Sequence, residues 1–148
     1  MRNSDRSGRR HATIATVAAA IGLLLAPRQG SAQIAQGPSA PYLFDLLKRP
    51  AFRHSFDALF AGERNVDEWI VTFQKTGNGV CGPSKRLQAG GAVHVVADVC
   101  KPRDCGDNHL QVLFSENGGK AAALLRSPRG QRWFGAPGPQ ERALLLQQ

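Results

Sequence analysis

The side chains with chemical potential in this chain are three cysteines, four histidines and a short C-x4-C loop, Cys100-Lys101-Pro102-Arg103-Asp104-Cys105. Cys81, His94, Cys100, Cys105 and His109 carry zinc-binding atoms, but their spacing lacks the close C-x2-C knuckle of a structural site. Cys81 as a nucleophile with His94 as its base would be a second chemistry, yet no motif surrounds either residue. His94 reads instead as a strand residue with its hydrogen bonding satisfied, and His54 and His109 as surface or hairpin residues. The carboxylates are few and unclustered, which argues against the acid pair of a glycosidase. Gly77-Asn78-Gly79 is a turn and lacks the G-x-x-x-x-G-K-S/T spacing of a phosphate cradle. No catalytic constellation emerges, and neither a metal nor a cofactor is expected. The chain reads as a non-enzyme whose chemistry is the pairing of its thiols.

Whether thiols pair depends on the compartment, and the N-terminus speaks to that. Arg2, Arg6, Arg9 and Arg10 precede fifteen residues, 12–26, of Ala, Ile, Val, Leu, Thr and Gly, and Gly30-Ser31-Ala32 follows Pro27. A basic start, a short apolar centre and small residues before a cut make a secretory signal. The apolar run is shorter than the roughly 20 residues a membrane span requires. Cleavage is expected after Ala32, through the general export route since His11 and Ala12 follow Arg9-Arg10 poorly for the twin-arginine one. The protein should therefore be exported, with no membrane attachment after cleavage. In an oxidising compartment three thiols pair in three ways with one left over. Cys100 and Cys105 are the nearest couple, leaving Cys81 either buried as a small apolar side chain or linking two chains as a homodimer.

Losing residues 1–32 removes five Arg and one Asp, so the net charge falls from +8 to +4, with 14 basic and 10 acidic side chains. The remaining basic residues are scattered, without the one-face clustering or aromatic interleaving of nucleic-acid sites. Nucleic acid is not an expected partner.

The elements that must position the loop follow from periodicity. Residues 33–41 are polar and aperiodic, a flexible leader. Leu43, Leu46 and Leu47, then Phe52, Phe56, Leu59 and Phe60, recur at helical spacing, which predicts two short helices on either side of Pro50. Residues 66–75 are rich in β-formers and read as a strand, and residues 76–84 as turn-forming. Further strands are expected over 92–99, 109–115 and 120–126, with a short one over 131–134. Asn117-Gly118-Gly119 supplies a hairpin, since Asn and Gly tolerate positive φ. A last helix is expected over 140–146, with Pro139 near its first turn. The result is one α+β domain, residues 42–148, with a central antiparallel sheet of four to five strands flanked by helices on its faces.

A disulfide between Cys100 and Cys105 would close a small ring at a hairpin tip. The cross-link is worth about 2 kcal/mol because the ring is short. Pro102 fixes one φ inside it, and a loop shaped in advance loses less entropy on binding. Arg103 at the crown offers five N–H donors and a permanent charge suited to carboxylates. Taken alone, such a hairpin reads most simply as a staple with no partner. The run CKPRDCGDNHLQVLFS from Cys100 to Ser115 resembles the signature region of the inhibitor of vertebrate lysozyme (Ivy) family, periplasmic proteins with a CKPHDC loop. The resemblance extends from LFDLLKRPAFRHSFDALF, at Leu43, through RWFGAPGPQERALL, ending at Leu145.

What the resemblance implies is an inhibitor whose disulfide-closed loop protrudes into the active-site cleft of a chicken-type lysozyme. Cys100, Lys101, Pro102, Asp104 and Cys105 match the motif, whereas Arg103 stands where the family has His. Arg is longer but keeps its charge where His titrates near pH 6.5, so no loss of loop charge is expected between about pH 6 and 9. Retained but weaker inhibition is the expectation. Chicken-type lysozymes are themselves cationic, so long-range steering toward this chain should be neutral or repulsive. The alternative is an exported binding domain acting on a cell-wall fragment or on an endogenous murein-cleaving enzyme.

Overall fold

A computed structural model describes residues 40–148; the expected signal segment and nearly all of the leader lie outside them. The described residues open with two short helices, α1 (Leu43–Leu46) and α2 (Pro50–Ala58). Pro50 occupies the start of α2, where its missing N–H is not needed. Phe52 and Phe56 bury one face of α2, while Arg53 and Asp57 pair at 2.9 Å on its outer face.

The third element corrects the sequence reading. Residues 66–75 do not form a strand: α3 runs over Glu68–Thr76. Val66, Trp69, Ile70 and Phe73 recur at i, i+3, i+4 and i+7, and this period prevails over β-propensity because it gives the helix one face to bury. Ile70 and Phe73 are fully buried. Gly77 ends the helix in the left-handed region, φ +69°, with its N–H donating to the Phe73 carbonyl.

Five strands follow: β1 (Lys85–Ala89), β2 (Ala92–Cys100), β3 (His109–Ser115), β4 (Ala121–Ser127) and β5 (Gly130–Phe134), then α4 (Pro139–Leu146). They form one antiparallel sheet in sequence order. The fold is thus α+β with a five-stranded sheet, although its first strand is β1 rather than residues 66–75. Alternation assigns the faces. Val95, Ala97, Val99, Leu110, Val112, Phe114, Ala123, Leu125 and Phe134 pack against α1, α2 and α3. Leu87, Val96, Leu113 and Leu124 pack against Leu144 and Leu145 of α4 on the other face. Arg126 fastens that second layer by donating to the Leu145 carbonyl at 3.1 Å and to the side chain of Gln111. At the β3–β4 turn, Gly118 has φ +77° and a Cβ there would stand 2.3 Å from the Phe52 ring, so only glycine lets this hairpin tip close beneath α2. The opposite end of β3 carries the loop 101–108.

Candidate functional site

Cys100 closes β2 and is held from both sides. It exchanges backbone hydrogen bonds with Val80 at 2.8 and 3.3 Å, and its register partner on β3 is His109. Its disulfide to Cys105 is formed, with the two Cα atoms 4.9 Å apart. Between them, the Asp104 N–H donates to the Lys101 carbonyl at 3.0 Å. With Pro102 at the second position of this turn and Arg103 at the third, φ +66°, the turn is of type II. That third position favours glycine; an arginine there costs about 1 kcal/mol.

The rest of the loop explains how that conformation is held. Asp104 Oδ2 accepts from Lys101 Nζ at 3.0 Å and from Asn108 Nδ2 at 2.7 Å. The Lys101 ammonium holds the Asp104 carboxyl below its ordinary range, and the Asn108 amide adds to this. The Asn108 N–H donates to the Asp104 carbonyl at 3.0 Å, and the Lys101 N–H to the Asn108 carbonyl at 3.1 Å. Lys101 and Asp104 are thereby occupied inside the loop. Arg103 is exposed and has no hydrogen bond or ion pair among the described residues. The loop therefore offers one unneutralised cation, at its crown.

At the loop's base, His109 Nε2 lies 3.3 Å from Asp98 Oδ2, which also accepts the Gly82 N–H at 3.3 Å. The bond to His109 is the main cause that depresses the Asp98 carboxyl, against the opposing effect of burial. Cys81 carries a free thiol, half-buried against the helical layer of the core. Burial, followed by the Asp98 charge, pushes that thiol up to about 11. Cys81 and His94 do not meet. Val80 faces Cys100, and His94 lies six residues back along β2, roughly 20 Å away at strand rise. His94 also departs from the sequence reading: it is buried, but its Nδ1 has no hydrogen-bond partner among the described residues. Among those residues no group of three or more His, Cys, Asp or Glu is gathered for a metal.

One wall of the site was not legible in advance. A cleft of about 500 Å³ runs between the loop, at Lys101 and Pro102, and the start of α3, at Asp67, Glu68, Trp69 and Thr72, with Asn78 closing it. The α3 wall escapes a reading that makes residues 66–75 a strand; the helical spacing of Val66, Trp69, Ile70 and Phe73 is the signal that finds it.

The chain is 35% identical over 130 residues to the inhibitor of vertebrate lysozyme from Pseudomonas aeruginosa, an alignment covering 77% of this chain and 81% of that protein. The chain belongs to the inhibitor of vertebrate lysozyme family. It is also 25% identical over 123 residues to an uncharacterized protein of Yersinia pestis, covering 74% of this chain and 77% of that one. A scan against protein-family profiles finds no match. The resemblance drawn from the sequence implies a His at position 103, a residue type enriched in the left-handed region.

Proposed function

We propose that this protein is an exported, periplasmic inhibitor of lysozyme-type muramidases, acting by inserting the Cys100–Cys105 loop into the enzyme's cleft. The observation that carries the reading is Arg103: exposed, without an internal partner, and fixed in a left-handed conformation at the crown of a cross-linked loop. Lysozyme-type clefts hold two carboxyl groups, one in an apolar pocket with a raised pKa and one kept ionised. A guanidinium about 4 Å from an ionised carboxylate gains on the order of 4 kcal/mol at an effective dielectric of 20, before desolvation. Its planar fork can give two parallel hydrogen bonds to the same group. The protein's own Asp104 does not compete, because Lys101 and Asn108 already satisfy it. Family kinship to a protein named for lysozyme inhibition supports the same partner class.

The test is inhibition of a chicken-type lysozyme, alongside other muramidases, by purified oxidised protein and by Arg103→Ala. The wild type should inhibit, and the variant should lose inhibition about 100-fold or more while keeping its fold. Equal potency of the two would remove Arg103 from the mechanism. Absence of inhibition for every muramidase would remove the proposal.

A further inference from the structure

A cationic domain approaching a cationic enzyme gains from local attraction that an arginine at the crown does not supply. Ten carboxylate side chains lie within the described residues. Asp45, Asp57, Glu63, Asp67, Asp98, Asp104 and Glu116 each lie within ion-pair reach of a Lys, Arg or His. Glu141 accepts the Gly138 N–H at 2.8 Å at the start of α4. Among the described residues, Glu68 and Asp107 have neither kind of partner, and both are exposed. Both also adjoin the loop: Glu68 lines the cleft whose far wall is Lys101 and Pro102, and Asp107 lies two residues past Cys105 on the return to β3.

The other charges in that cleft are already matched. Arg129 pairs with Asp67, and Asp104 with Lys101, so Glu68, in the first turn of α3, is the charged residue of the cleft without an ion partner among the described residues. Beside it stands the partly buried Trp69 indole, whose ring can face a cation as well as a carboxylate can. We infer that Glu68 and Asp107 are a second recognition element, flanking the loop and receiving lysine or arginine side chains from the rim of the muramidase cleft that Arg103 enters. The cleft beside α3 takes one such side chain. This rests on the inhibitor reading above and extends it: the interface is positive at its tip and negative at its shoulders. A partner whose cleft is acidic inside and basic around the edge fits that pattern, and a uniformly acidic one does not.

The experiment compares wild type, Glu68→Gln, the double variant Glu68→Gln/Asp107→Asn, and Glu116→Lys as a control that changes net charge by the same two units as the double variant. Glu116 lies in the β3–β4 turn, at the opposite end of β3 from the loop. Inhibition constants against a chicken-type lysozyme are measured at low and high salt, with urea midpoints to verify folding. The double variant should inhibit about ten-fold less well at low salt, Glu68→Gln two- to five-fold less, and Glu116→Lys less than two-fold. The deficit of the double variant should shrink at high salt. If the wild type inhibits and the loop-flanking variants match Glu116→Lys, the second element does not exist although the inhibitor reading stands. A wild type that inhibits no muramidase overturns both.

Discussion

At the scale of single residues, Arg103 combines a conformational cost with an unsatisfied charge, φ +66° at an exposed crown. On the proposed inhibitor reading, strain held at an exposed, unpaired cation serves recognition rather than stability. Arg103→Gly should accordingly raise folding stability by about 1 kcal/mol in urea titration while abolishing inhibition. Arg103→His should keep the turn, since His tolerates this backbone region, but should make inhibition depend on pH. A guanidinium has no ionisation near pH 6.5, so any dependence on such a group in wild-type inhibition comes from elsewhere, the enzyme's raised-pKa carboxyl included, and should be weaker than in the histidine variant. A wild-type profile that tracks such a group while the histidine variant stays flat would contradict this assignment. The cysteine pairing and the identity of the crown residue could be read from the spacing of six residues. The positive φ could not, because Pro102-Arg103 carries no glycine or asparagine to announce a type II turn.

At the scale of elements, the loop depends on what it is hung from. The ring is short, so Cys105→Ser should cost only about 2 kcal/mol and leave a cooperative unfolding transition, yet weaken inhibition by more than that stability loss implies. Equal inhibition by oxidised wild type and Cys105→Ser would show that the hydrogen bonds of Asp104 and Asn108 shape the loop unaided. The same scale shows where sequence patterns succeed. The phenylalanine stripe of α2 is strong because it buries a continuous face, and the apolar runs of β2, β3 and β4 are strong because these central strands are covered on both faces. β1 has no apolar pattern of its own, because an edge strand of sequence Lys-Arg-Leu-Gln-Ala buries only Leu87. Its signal was the turn: Gly90 and Gly91 both have positive φ, as a two-residue hairpin requires. For α3, Trp69, Ile70, Val71 and Phe73 carry high β-propensity, and only the burial available to a helical face decides against a strand. That single misreading also hid the Glu68 side of the cleft, since a helix and a strand place these side chains on different surfaces.

At the scale of the whole molecule, Asp45, Asp98 and Asp104 all ionise more readily than ordinary carboxylates, through Lys48, His109 and Lys101 respectively. A carboxyl depressed in the folded state contributes stability that is complete above its unfolded value, near 4, and lost as pH falls through the folded one. Stability measured by urea titration should therefore decline below about pH 4, and Asp98→Asn should flatten part of that decline. An unchanged acid profile in Asp98→Asn would show that the Asp98–His109 contact adds nothing to folding. The sheet order β1-β2-β3-β4-β5 bears on assembly as well. Each strand pairs with its neighbour in sequence, so the chain can zip successive hairpins without waiting for distant segments to meet. Cys100 and Cys105 are then brought side by side by the β2–β3 hairpin itself, and oxidation locks a ring whose outline the backbone has already drawn. A chain with reduced thiols can thus acquire its domain first and its covalent ring afterwards, so a slow oxidant delays the cross-link and not the fold.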